Sequence, residues 1–213
     1  MTVDLPGHGD SPPGHDRADL WQAASLVGEA VGPAVYVGYS LGARVALHLA
    51  LAQPDMVQGI VLVGARMGFP DNSTAAERRA SDDRRAADIE SHGVERFLQS
   101  WLAESFNARL SDDALHTSER LRNRADGLAG SLRHTGLGSQ EYLWGRLKEL
   151  RTSVLLIVGE DDLPGVAEEN RKMAAVIGDN ASFVVVPGSG HSVPFEKPDL
   201  FVDVMREFLA DVR

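Results

Sequence analysis

Three kinds of residue in this chain can together turn an unreactive hydroxyl into a nucleophile or base: Ser40, His191 and a carboxylate from the run Glu160-Asp161-Asp162. A serine is poor at either task until an imidazole takes its proton. The imidazole in turn needs a carboxylate to fix its tautomer and stabilise its charge. Ser40 stands in Gly38-Tyr39-Ser40-Leu41-Gly42, a G-x-S-x-G run whose glycines allow a turn tight enough to thrust the hydroxyl clear of the backbone. The order along the chain is serine, acid, histidine. Asp162 is the expected acid, with Asp161 and Glu160 competing from the same turn, and His191 could instead be a loop histidine capping the next helix. The N–H of Leu41, directly after the serine, is placed by such a turn to donate to a developing oxyanion. The other six histidines (His8, His15, His48, His92, His116 and His134) have no spacing suited to metal ligation, so no metal is expected.

These groups must be held by the ends of regular elements. Ala34-Val35-Tyr36-Val37 is a short apolar, β-branched stretch that reads as a buried strand entering the serine turn, and Ala43–Ala52 reads as the helix leaving it, ended by Pro54. Val154–Gly159 is a second buried strand with the acidic run at its C-terminal end. Ser182–Val186 is another, followed by Pro187-Gly188-Ser189-Gly190-His191. Each group thus falls just past a strand's C-terminal end, where open parallel sheets gather their ligands. Gly59–Gly64 supplies a further strand, and Asp16–Val31 and Pro198–Arg213 read as amphipathic helices. Between Arg66 and about Leu147 no strand pattern occurs; helices are expected over Thr74–Ser91, Val94–Glu104, Asp112–Ala125 and Gly127–His134. The expected organisation is an α/β core in two parts, 1–65 and 148–213, around a helical cap, 66–147.

With 213 residues, 43% hydrophobic and 24% charged, the chain has the composition of a globular protein with one substantial core. The formal charge of -10 argues against nucleic acid as partner. No stretch approaches the ~20 apolar residues of a membrane span, and no signal-peptide pattern follows Met1. The absence of cysteine leaves neither a disulfide framework nor a thiol site, and a cytoplasmic location is expected. No cofactor is expected. Oligomeric state is not readable.

The serine turn, Asp4-Leu5-Pro6-Gly7-His8-Gly9-Asp10-Ser11, and Gly190-His191 followed by Phe195-Glu196-Lys197-Pro198 resemble the α/β-hydrolase superfamily over the whole length. The fold implied is a mostly parallel sheet with flanking helices and an inserted helical cap. Within the superfamily, Gly38–Arg44, the segment Leu132–Gln140 and Leu143-Trp144 resemble the 2-succinyl-6-hydroxy-2,4-cyclohexadiene-1-carboxylate synthases of menaquinone biosynthesis. That resemblance implies a lyase eliminating pyruvate from 2-succinyl-5-enolpyruvyl-6-hydroxy-3-cyclohexene-1-carboxylate, with the serine as base rather than acylated nucleophile. Such a small, multiply anionic substrate calls for arginines, whose planar fork matches a carboxylate bidentately. Arg44, four residues after Ser40, lies one helical turn along the same face. The resemblance also implies contacts from Arg84, Arg122 and Trp101 in the cap, while Tyr39 flanks the serine and could contact substrate or pack. Because Arg66–Arg146 holds 12 arginines against 13 acidic residues, Arg84 and Arg122 read equally well as members of surface ion pairs. Trp101 reads equally well as cap core.

Two departures accompany the resemblance. The family's second oxyanion donor comes from a His-Gly-aromatic loop that this chain lacks, and Met1–Asp4 corresponds to the end of a later strand. A central strand between that one and Ala34–Val37 would then be missing, leaving unpaired backbone on both sides. The expectation is that Met1 is not the native start and that roughly 40 residues precede it, two strand–helix units at ordinary lengths. Also, Gly159–Pro164 lacks the basic and aromatic residues the family tends to carry after the acid. Two other readings remain open: a carboxylesterase or carbon–carbon bond hydrolase using the same triad, and an inactive truncated fragment.

Overall fold

The computed structural model describes residues 1–12, 18–104, 109–111 and 113–212. His15, Asp16, Asp112 and Arg213, named above in loops or at helix ends, lie outside the described residues. The first helix, α1 (Leu20–Val31), opens on a reciprocal cap: the Asp19 carboxylate accepts the Gln22 N–H at 2.9 Å and the Gln22 side chain accepts the Asp19 N–H at 3.3 Å. There follow β1 (Ala34–Tyr39), α2 (Leu41–Ala52) and β2 (Val57–Val63), then a long helical stretch with α3 (Asn72–Leu102), α4 (Thr117–Arg120) and α5 (Ala125–Thr135). The chain closes with β3 (Ser153–Gly159), α6 (Val166–Ile177), β4 (Ala181–Val186), α7 (Val193–Glu196) and α8 (Pro198–Asp211). No described helix is long and apolar enough to cross a membrane.

The four strands form one parallel sheet in the order β1-β2-β3-β4. Alternation along β2 and β3 divides the core. Ile60, Leu62, Val154 and Leu156 pack with the buried residues of α1 and α2, whereas Val61, Val63, Leu155 and Ile157 face Phe201, Val204, Met205 and Phe208 of α8. Because both faces are covered, the two central strands read as unbroken apolar runs. β1 is an edge, and its Val37 is half exposed. Met1–Asp4 is exposed and joins no strand, in contrast to the strand end expected there; the Asp4 carbonyl accepts the Ser11 hydroxyl at 2.8 Å.

The stretch between β2 and β3 differs in detail from expectation. The two helices expected over 74–104 are present as α3, which breaks at non-helical Gly93 (φ 84°, ψ 171°) between the expected segments. The expected helix over 112–125 contracts to the single turn α4. Beyond it the chain turns locally, the Asn123 backbone N–H and side-chain amide both donating to the Arg120 carbonyl, while the Asn123 side-chain oxygen accepts the Gly9 N–H at 2.9 Å. Beside it Gly7 and Gly127 touch backbone to backbone, so closely that a Cβ on Gly127 would lie 2.2 Å from the Gly7 carbonyl oxygen. The insert leaves and returns at one place. The Leu143 N–H donates to the Met67 carbonyl at 3.1 Å and the Gln140 amide to the Arg66 carbonyl at 2.9 Å.

Candidate active site

The turn from β1 into α2 holds Ser40 at φ 51°, ψ -106°. A residue with a side chain pays about 1–3 kcal/mol for such backbone, which persists only where the surroundings impose it. Here the Ser40 N–H is fixed to the Val63 carbonyl at 2.8 Å, and α2 starts at the next residue. Gly38 is obligatory, since a Cβ there would lie 2.2 Å from the Gly42 carbonyl oxygen. Gly42 is not crowded: a Cβ there meets nothing within 4 Å, so the tight turn requires glycine on one side of the serine alone.

Three strand ends then converge. His191 Nε2 lies 3.1 Å from Ser40 Oγ, and His191 Nδ1 lies 2.8 Å from Asp162 Oδ1. The Asp162 side chain is 1% exposed and that of His191 9%. With Nδ1–H donated to the carboxylate, Nε2 is left as the acceptor for the serine proton, the tautomer that activates a hydroxyl. Asp162 Oδ1 also accepts the Leu163 N–H at 2.6 Å, while its other oxygen is buried with no hydrogen-bond partner among the described residues. The rival carboxylates are engaged elsewhere. Asp161 pairs with Arg109 at 2.8 Å, and Glu160 accepts the Gly188 N–H at 2.9 Å. Gly64, at the end of β2 with φ 61°, forms the floor under the imidazole: a Cβ there would lie 2.8 Å from His191 Cε1.

Leu41, the first residue of α2, offers a first-turn N–H that no intrahelical carbonyl can take, at the positive end of the helix dipole. It lines a cavity of about 250 Å³ between the sheet and the insert, together with Arg44, Arg78, Trp101 and Arg120. The Arg44 guanidinium donates to the Thr135 carbonyl at 2.6 Å and to Gln140 Oε1 at 3.4 Å, and forms no salt bridge among the described residues. Burial lowers its pKa to about 10, with Arg78 acting in the same direction and Asp82 opposing, so it stays cationic at neutral pH. Arg78 is held through Nε by buried Asp82 at 3.0 Å. Arg120 lies 4.8 Å over the Trp101 ring, and burial lowers its pKa too. Burial raises the pKa of the Tyr39 phenol, keeping it neutral; its hydroxyl lies 2.8 Å from Ser192 Oγ and its ring 5.3 Å from that of His191.

The structure thus brings together Ser40, Leu41, Asp162, His191, Tyr39, Arg44 and Trp101. It does not bring Arg84 or Arg122 to this cavity. Arg84 is exposed and lines a separate depression on α3 with Arg85 and Glu104, and Arg122 is paired with Asp10 at 2.5 Å. Two arginines not singled out from sequence, Arg78 and Arg120, stand at the cavity instead. A clue existed for Arg78, whose Asp82 partner is four residues on, but the insert holds many such pairs.

A family model described as "Alpha/beta hydrolase family" matches residues 1–204. The chain belongs to the alpha/beta hydrolase family. Among curated members of this family, it is 33% identical to the putative 2-succinyl-6-hydroxy-2,4-cyclohexadiene-1-carboxylate synthase of Bacillus subtilis, covering 100% of this chain and 81% of that one. It is 28% identical to the 2-succinyl-6-hydroxy-2,4-cyclohexadiene-1-carboxylate synthase of Serratia proteamaculans, over 99% of this chain and 83% of that one. The solved structure of MenH from S. aureus superposes with a TM-score of 0.90 at 28% identity, over 98% of this chain and 82% of that one. An alpha/beta hydrolase places its catalytic groups on the loops after its strands. Ser40, Asp162 and His191 occupy such positions after β1, β3 and β4.

Proposed function

We propose that this alpha/beta hydrolase is a lyase that eliminates pyruvate from 2-succinyl-5-enolpyruvyl-6-hydroxy-3-cyclohexene-1-carboxylate, the reaction that yields the product for which its relatives are named. The observation that carries the reading is the set of cationic side chains, Arg44, Arg78 and Arg120, lining one cavity with the residue next to Ser40 in a chain of net charge -10. An ester hydrolase for neutral substrates has no use for three guanidinium groups beside its serine; a substrate with several carboxylates does.

In this reading Ser40 passes its proton to His191 Nε2 and removes a proton from the substrate ring. The electrons of that C–H bond form a ring double bond toward the existing one, which shifts to the carbon bearing the enolpyruvyl group as its C–O bond breaks. The imidazolium, stabilised meanwhile by Asp162, gives its proton to the departing enolate, which leaves as pyruvate, and Ser40 and His191 return to their starting states. Negative charge developing on the succinyl carbonyl beside the reacting carbon is met by the Leu41 N–H and by the arginines, donors fixed before the substrate arrives. Residues 1–65 and 148–213 act as the catalytic body and 66–147 as the cap that selects the substrate. A cytoplasmic location accompanies this role.

The test is pyruvate release from that substrate by the wild-type protein and by Ser40→Ala. Release that falls about 10³-fold or more in the variant supports the lyase. A folded wild-type protein that turns over p-nitrophenyl esters and releases no pyruvate would make it a hydrolase instead.

A further inference from the structure

We propose that Glu196 is a positioning residue for His191 and works by gripping the backbone on both sides of that histidine. Its two carboxylate oxygens accept different N–H groups: Oε2 takes the Gly190 N–H at 2.8 Å and Oε1 the Ser192 N–H at 3.0 Å. Neither donor belongs to a helix or strand that would otherwise satisfy it. The residue between them carries the imidazole. The grip reaches further through Ser192, whose hydroxyl meets that of Tyr39 at 2.8 Å, and Tyr39 directly precedes Ser40. One carboxylate thereby fixes both the histidine and a neighbour of the serine.

The surroundings are built to admit this group. A Cβ at Gly190 would come within 3.2 Å of Glu196 Oε1, so glycine leaves the room the carboxylate fills. The same loop passes over Gly159 so closely that a Cβ there would lie 2.0 Å from the Gly190 carbonyl oxygen. Upstream, the Asp161 N–H donates to the Ser189 carbonyl at 2.9 Å. The loop is pinned below by β3 and on its other side by Glu196, with His191 between the pins. Only a carboxylate does this job. It presents an acceptor on each arm, whereas glutamine presents one acceptor and turns an NH₂ toward the second N–H. Aspartate keeps both acceptors but ends about 1.5 Å short, the length of one C–C bond.

The inference rests on Ser40 and His191 being the reacting pair of the proposed function, and not on the identity of the substrate. The experiment compares wild type, Glu196→Gln and Glu196→Asp, each verified as folded by thermal melting, in pyruvate release and in the rate at which a fluorophosphonate labels Ser40. The expected result is a fall of about 10- to 100-fold in kcat with KM within about twofold, since an ångström of misplacement at a reacting pair costs rate rather than binding. The labelling rate falls by the same factor, and the low-field proton resonance of the His191–Asp162 bond broadens. A purely structural role would lower the melting temperature and leave kcat intact below it. Either folded variant labelling and turning over within twofold of wild type overturns the inference. A wild type that labels but releases no pyruvate defeats the lyase reading alone, and the labelling ratio still decides the role of Glu196.

Discussion

Gly64→Ala places a single methyl group between the sheet and the imidazole of His191. The new Cβ would stand 2.8 Å from His191 Cε1 and 3.0 Å from Nδ1, where carbon atoms prefer about 3.5–4.0 Å. Relieving that overlap moves the ring by roughly 0.7–1 Å, and the ring sits between contacts of 3.1 Å to Ser40 and 2.8 Å to Asp162 that cannot both stretch so far and survive. A displacement of this size at the reacting groups lowers kcat about 100-fold and leaves KM nearly unchanged. Because φ at this position is 61°, alanine also costs about 1–2 kcal/mol of stability, which lowers Tm by roughly 2–8 °C. Gly178→Ala separates the two effects. Gly178 has φ 95° but a Cβ there meets nothing within 4 Å, so it carries the backbone cost without the clash. Steady-state pyruvate release and melting curves of both variants form the assay. Equal loss of activity in the two, or a folded Gly64→Ala protein within threefold of wild-type kcat, would refute the argument that this glycine sets the position of His191.

Two further outcomes are expected. Arg44→Met removes the cation nearest the serine turn and should raise KM about 10- to 100-fold, the worth of a charged hydrogen bond of about 1.5–3 kcal/mol, while fluorophosphonate labelling of Ser40 persists; unchanged KM would remove Arg44 from substrate binding. Burial lowers the pKa of His48, partly offset by its 2.7 Å bond to the Arg44 carbonyl, so the unfolded chain binds a proton below about pH 6.5 that the fold refuses. Stability in urea titrations should therefore fall as pH drops from 7 toward 5, by at most about 1.4 kcal/mol per pH unit for this group, and His48→Leu should flatten the slope. His8, whose pKa burial also lowers, keeps the remainder. An identical slope in wild type and variant would contradict this.

The sheet and the triad were legible because they depend on local signals. Apolar runs bounded by glycine mark β2 and β3, and the serine turn carries its own strand and helix. The cavity was not, because its members come from helices whose charged residues all look alike in sequence. Arg78, Arg84, Arg120 and Arg122 differ only in which way a helix or turn faces, and that is decided by contacts distant in the chain. The Asn123–Gly9 bond and the Gly7–Gly127 approach set the turn that follows α4, where Arg122 meets Asp10. The expected helix over 112–125 failed for the same reason. Its propensity was adequate, but after α4 the backbone closes in local turns while the Asn123 side chain is drawn to Gly9.

The neck of the insert bears on how such a protein can change. From Met67 to Leu143 the chain makes a long excursion and returns to its point of departure, clasped there by two hydrogen bonds. To the sheet, everything beyond that clasp is one closed loop, and the entropic cost of closing a loop rises only logarithmically with its length. The groups proposed to move protons follow β1, β3 and β4, outside the excursion. Residues beyond the clasp, apart from those such as Arg109 that reach back to Asp161, can be lengthened, shortened or exchanged at little cost to the geometry of Ser40, Asp162 and His191. New chemistry of recognition can thus be tried without rebuilding the machinery that breaks the bond.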